Sequence, residues 1–136
     1  MDGQREAGVS ASKIEKIMIV DDDDDICTVA ELSARRVGNW DVVVATSGQQ
    51  ALAMARDERP DVILLDAMMP LLDGPTTMAK LREDPATATI PVIFLTAKVQ
   101  KHEIERYLTL GAIGVIRKPF NAMTLPDEVR RMVQGG

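Results

Sequence analysis

The chain has one cysteine, Cys27, so no internal disulfide can form and no zinc site built on several thiolates is available. A lone thiol fits a reducing compartment, most simply the cytoplasm. Aromatic residues are scarce: one tryptophan, one tyrosine and two phenylalanines in 136 residues. The core must then be aliphatic, with the eight methionines filling its gaps. Basic charge is in deficit, 16 Lys and Arg against 21 Asp and Glu, a formal net charge of −5. Non-specific nucleic-acid binding needs a basic surface, so direct DNA binding is not expected. No apolar run approaches membrane-spanning length, so no membrane partner is expected either. Residues 1–13 are polar and small and lack the apolar stretch of a secretory signal. They read as a flexible tail before a single domain over residues 14–134.

What is present is a series of short apolar runs, each ending in a polar residue. Ile17-Met18-Ile19-Val20 runs into five aspartates, Asp21 to Asp25. Asp41-Val42-Val43-Val44-Ala45 is rich in β-branched residues. Val62-Ile63-Leu64-Leu65 ends on Asp66, and Pro70 with Asp73-Gly74-Pro75 then turns the chain. Ile90-Pro91-Val92-Ile93-Phe94-Leu95 leads to Thr96, and Gly114-Val115-Ile116-Arg117 leads to Lys118-Pro119. These runs are too short for helices and apolar on both faces, which suits strands of a parallel sheet.

Helical segments separate them. The first is expected to turn Ile26, Val29, Ala30 and Val37 inward and to stop at Gly38. Its start carries Asp23 to Asp25, acids that suit a helix N-terminus. The second carries Ala51, Leu52 and Ala55 inward, the third Met78 and Leu81, the fourth Ile104, Tyr107 and Leu108. The last carries Leu125, Val129, Met132 and Val133, with Thr124 and Asp127 as a capping box. Five strands alternating with five helices give a doubly wound α/β fold. The flavodoxin-like strand order 2-1-3-4-5 suits five strands and makes strands 1 and 3 neighbours at the switch point.

That order gathers the polar strand ends at one edge. Asp21, Asp22 and Asp66 meet there and repel one another, which a hard divalent cation relieves. An oxygen-only cluster without nearby histidine or cysteine points to Mg²⁺ (or Mn²⁺) rather than zinc. Thr96 brings a hydroxyl and Lys118 a positive charge. A metal, a cation and a hydroxyl around one aspartate can stabilise a phosphoryl group in transfer. Asp66 would be the nucleophile and carry an aspartyl phosphate.

With these residues in place, the chain resembles the receiver domain of two-component response regulators, in the manner of single-domain chemotaxis regulators. The match runs over about residues 15 to 134. It rests on Asp21-Asp22 after the first strand, Asp66 in Leu-Leu-Asp-x-x-x-Pro with Asp73-Gly74 behind it, Thr96-Ala97, and Lys118-Pro119-Phe120. The resemblance implies that Asp66 accepts phosphate from a histidine kinase or a histidine phosphotransfer protein. It implies that Asp22 ligates Mg²⁺ directly, Asp21 largely through water, and the Met68 backbone carbonyl as a further ligand. Ala67, Met68, Ala97 and Lys98 would line the phosphoryl group, Thr96 would move on activation, and the Lys118-Pro119 bond would be cis. Output would pass to a downstream protein target, and a phosphorylation-dependent homodimer is open.

The chain departs from the family pattern at Val115, where many receivers have an aromatic residue that follows the threonine inward. Thr96 and Val115 are the expected switch region, with helix 4 moving in place of a rotamer relay. Met68 offers no polar group to orient water, so the phosphorylated state is expected to be long-lived. Asp23 to Asp25 are read as helix-start acids, His102 as a surface residue, and Cys27 as a small buried residue. An EF-hand fails, because Ile26 stands where glycine is needed and Leu32 where glutamate is. The competing reading is a haloacid-dehalogenase-like phosphatase with Asp21 as nucleophile and Asp23 two residues on. Another is a receiver excised from a multidomain regulator or hybrid kinase.

Overall fold

The computed structural model describes residues 14–135, so the expected tail, residues 1–13, lies outside the described residues. Five strands form one parallel sheet: β1 (Lys16–Val20), β2 (Asp41–Ala45), β3 (Val62–Asp66), β4 (Val92–Thr96) and β5 (Gly114–Arg117). Their order is β2-β1-β3-β4-β5, as the alternating pattern predicts. In register, Val20 pairs with Leu65, Asp66 with Leu95, and Thr96 with Arg117. The polar residues expected at the sheet edge therefore do sit at neighbouring strand ends. Pro91 precedes β4 instead of lying within it, which spares the ladder a missing N–H.

Five helices cover the two faces: α1 (Asp24–Leu32, continued by a π-helical turn, Ser33–Val37), α2 (Gly48–Glu58), α3 (Gly74–Glu83), α4 (Lys101–Thr109) and α5 (Leu125–Gly135). Helices α2, α3 and α4 pack on the face formed by Met18, Ile63, Leu65 and Phe94. Helices α1 and α5 pack on Ile17, Ile19, Leu64 and Leu95. Alternate residues of each strand serve the two cores, which is why these strands read as continuous apolar runs. Among the described residues no helix is long and apolar enough to cross a membrane.

Local chemistry starts each helix. Asp23 caps α1 by accepting from the Asp25 and Ile26 N–H groups. Ser47 caps α2 and Asp73 caps α3, with Pro75 in the first turn of α3. The expected box of Thr124 with Asp127 does not form. The Thr124 hydroxyl meets Glu128 Oε2 at 3.2 Å, and Asp127 pairs with Arg130 at 3.1 Å.

Two inward faces and two of the methionines differ from expectation. In α1 the buried residues are Cys27, Ala30 and, beyond Leu32, Ser33 and Ala34, while Val29 is 43% exposed. Cys27, Ala30 and Ala34 recur at spacings of three and four, a regular face that leaves Val29 outside it, and the Ser33 hydroxyl donates to the Ala122 carbonyl. In α4 Tyr107 is buried, but Leu108 points outward. Met68 and Met123 are exposed, unlike Met18, Met69 and Met78, which are core as expected.

Candidate functional site

Asp66 ends the central strand with its side chain almost wholly buried. Behind it, Pro70 to Asp73 form a tight loop that returns the chain to α3. Gly74 begins that helix against the backbone of Asp66 and Ala67: a Cβ there would lie 2.5 Å from the Asp66 carbonyl oxygen and 2.7 Å from Ala67 Cα. Only glycine lets the helix start so close, and the Gly74 N–H donates to the Ala67 carbonyl at 3.1 Å. The loop after Asp66 is thereby pinned from below.

Asp21, Asp22 and Asp66 bring carboxylate oxygens within 4.8 Å of one another. Asp21 is 1% exposed, whereas Asp22 faces solvent. Lys118 reaches across from the end of β5. Its Nζ lies 2.6 Å from Asp21 Oδ2 and 3.1 Å from Asp66 Oδ1. The Lys118-Pro119 peptide bond is cis, as expected. Asp21 Oδ2 is buried, and the Lys118 ammonium is the one positive charge beside it among the described residues. Such an oxygen suits a hard cation, and so do three convergent carboxylates with no nitrogen or sulfur ligand among them. The donor set thus fits Mg²⁺.

Charge at the site is finely balanced. Burial pushes the Asp66 carboxyl up to about 6, helped by the negative charge of Asp21. The Met68 N–H, which bonds Asp66 Oδ1 at 3.2 Å, and the Lys118 cation pull the other way. For Lys118, burial lowers the ammonium, but Asp21 and Asp66 more than offset this and its pKa is raised. Burial, then Asp21, Asp24 and Asp23, push the Cys27 thiol up to about 11. Its sulfhydryl donates to the Asp21 carbonyl at 3.2 Å, so Cys27 braces the turn after β1 and its raised pKa keeps it a thiol near neutral pH.

Around the mouth stand Ala67, Met68, Ala97 and Lys98. Met68 and Lys98 line one cavity of about 540 Å³ together with Asp73, Glu103, Arg106 and Tyr107. Thr96 is buried, and its hydroxyl accepts the Lys98 N–H at 3.0 Å. Val115 lies half-buried on the same face as Phe94. His102 is exposed on α4, and Asp23 is spent on capping, as the sequence suggests. Two contacts were not foreseen: the pairing of Lys118 with Asp21, and the Thr96–Lys98 bond. The first needs the cross-sheet geometry. The second had a local signal, a threonine two residues before an N–H that no strand claims.

Comparison with known proteins agrees with this site. Residues 17–130 match the model of the response regulator receiver domain. The chain is 38% identical over 120 residues to the alkaline phosphatase synthesis transcriptional regulatory protein PhoP of Bacillus subtilis, covering 88% of this chain and 47% of that protein. It is 38% identical to the response regulator PleD of Caulobacter vibrioides, covering 88% of this chain and 26% of that one. The chain therefore spans about half or less of the curated relatives it matches. Among solved structures it is similar to the Vibrio cholerae chemotaxis protein CheY4, with a TM-score of 0.81 at 28% identity over 88% of this chain and 98% of that one. It is also similar to the receiver domain of a Syntrophus aciditrophicus histidine kinase, with a TM-score of 0.76 at 30% identity over 89% and 91%. A buried aspartate beside two further carboxylates, on this strand order and with these matches, places the chain in the family of response regulator receiver domains, the phosphorylation-activated switches of two-component signalling.

Proposed function

We propose that Asp66 is the phosphoryl acceptor. A carboxylate oxygen of Asp66 attacks the phosphorus of a phosphohistidine. The O–P bond forms as the P–N bond breaks, and the electron pair leaves on the imidazole nitrogen, so no proton need be moved by the chain. Asp21, Asp22, Asp66 and the Met68 carbonyl would hold Mg²⁺, which would supply neutralising charge to the phosphoryl oxygens. Lys118 Nζ already stands 3.1 Å from Asp66 Oδ1, where it can meet a phosphoryl oxygen. Thr96 can donate its hydroxyl to another. The observation that carries this reading is the buried Asp66 carboxyl placed between two further carboxylates and one ammonium.

The donor would be a histidine kinase or a histidine phosphotransfer protein, and the output a protein contact. The surface charge is acidic, which suits protein partners better than DNA. A phosphorylation-dependent homodimer is compatible with the exposed residues of α4 and is tested by the mass of the phosphorylated form. The phosphatase reading is not favoured: Asp21 is enclosed and paired with Lys118, so it has no open line to a substrate.

The test is labelling by a small acyl phosphate with Mg²⁺. Asp66 should carry the label, Asp66→Ala should not be labelled, and removal of Mg²⁺ should abolish labelling. Label on Asp21 would overturn the proposal.

A further inference from the structure

We propose that the Met68 thioether is an oxidation site through which a hydroperoxide shortens the life of the phosphorylated state, a role that rests on Asp66 being the acceptor. Met68 is 56% exposed, whereas Met18 and Met78 are sealed in the core and Met69 is buried beside them. An exposed thioether is open to two-electron oxidants in a way that a buried one is not. Met123, in the loop before α5, is equally open but does not line the cavity beside Asp66. Met68 does. It stands two residues after Asp66, its N–H donates to Asp66 Oδ1 at 3.2 Å, and it borders the cavity of about 540 Å³.

Two cations border the same cavity, Lys98 and Arg106, and neither has an ion-pair partner among the described residues. Of the carboxylates there, Asp73 already accepts from the Thr76 N–H, and Glu103 is the other. A thioether offers the two cations little, since its sulfur is a weak acceptor. Oxidation puts a polar oxygen on the same side chain. The step needs only a hydroperoxide. The sulfur lone pair attacks one peroxide oxygen, the S–O bond forms as the O–O bond breaks, and the proton on that oxygen passes to the departing one. With hydrogen peroxide the products are the sulfoxide and water, so sulfur loses the two electrons that the peroxide gains. An external dithiol reverses the step through a sulfoxide reductase, becoming a disulfide as the oxygen leaves as water. Cys27 is buried and does not take this part. Held by Lys98 or Arg106, the sulfoxide oxygen stands at the mouth of the site and accepts from water. It thus orients the water that a thioether leaves free.

Treatment of the full chain with hydrogen peroxide, followed by labelling with a small acyl phosphate and Mg²⁺, tests the site. Peptide masses should show Met68 and Met123 oxidised well before Met18, Met69 and Met78. The phosphoryl half-life should fall by about threefold or more in the oxidised wild type, and return when a methionine sulfoxide reductase and a dithiol are supplied. Met123→Leu should respond as the wild type does. In Met68→Leu peroxide should leave the half-life where it stood before treatment. That variant keeps Cys27 and Met123, so a peroxide effect that persists in it overturns the oxidation site. So does a Met68 that oxidises no faster than the buried methionines. Label on Asp66 with a half-life indifferent to peroxide overturns the oxidation site alone. Absence of label from Asp66 in the untreated chain overturns the acceptor reading and the oxidation site with it.

Discussion

Lys118 Nζ lies closer to Asp21 Oδ2, at 2.6 Å, than to Asp66 Oδ1, at 3.1 Å. In the metal-free protein this lysine is thus the counter-ion of two buried carboxylates at once. Lys118→Met would leave both without a cation. Removing one partner of a buried ion pair costs about 3–5 kcal/mol, partly relieved here by proton uptake at Asp66. Urea unfolding without Mg²⁺ should show a loss of this order, and saturating Mg²⁺ should recover much of it by binding only the folded state. An unchanged midpoint would mean that Lys118 is dispensable to the resting site.

Asp66 makes stability depend on pH in an unusual direction for a carboxylate. Its folded pKa, about 6, is above the ordinary 3.8, so the folded protein binds more protons between these values. Stability from this group is fully present below about pH 4 and is lost as pH rises through about 6. Asp66→Asn removes the dependence. In the absence of Mg²⁺ the variant should exceed the wild type by on the order of 2 kcal/mol at pH 7.5, with the gap closing towards pH 4. Urea midpoints across this range are the measurement, and a constant gap would contradict the raised pKa. Mg²⁺ affinity should rise over the same window, because ligation needs the ionised carboxylate.

The fold was readable because the three central strands are buried on both faces and each strand runs abruptly into a polar residue, from Val20-Asp21 to Arg117-Lys118. Strand ends at one sheet edge also placed Asp21, Asp22, Asp66, Thr96 and Lys118 together. Helix faces were less readable. Of the expected inward residues Ile26, Val29, Ala30 and Val37, Val29 is 43% exposed, and the small residues Ala30 and Ala34 fill the contact. The π-helical turn has no signature in this sequence. The Lys118–Asp21 pair was hidden for a different reason: it depends on β5 and β1, which lie on opposite sides of β3 and β4 in the sheet.

Met68 stands at the mouth of the site, 56% exposed, with a thioether in place of a hydrogen-bonding group. Hydrolysis of an aspartyl phosphate needs a water aligned opposite the Asp66 oxygen, and a thioether orients water poorly. Met68→Asn introduces a donor and an acceptor at the same distance from the backbone. The phosphoryl half-life of the labelled protein should shorten by about threefold or more. An unchanged half-life would show that water reaches the phosphorus by a path Met68 does not border.

Leu71 has φ of 70° and is 96% exposed, and the Leu72 N–H donates to the Pro70 carbonyl at 2.8 Å across it. This is a γ-turn of the strained hand, two residues before the cap of α3. An L-residue in the left-handed region costs about 1–2 kcal/mol, and so exposed a side chain buries too little to offset it. Leu71→Asn keeps the turn and relieves part of the strain, since asparagine accepts this conformation more readily. Its stability should rise by about 0.5–1 kcal/mol in urea unfolding. Leu71→Gly relieves more strain but gives the unfolded chain more freedom, so its net change should be smaller. Labelling at Asp66 by a small acyl phosphate should be the same in all three, because the loop is pinned by Gly74 and Asp73, not by Leu71. A destabilised Leu71→Asn would show that the leucine side chain makes a contact worth more than the strain it carries.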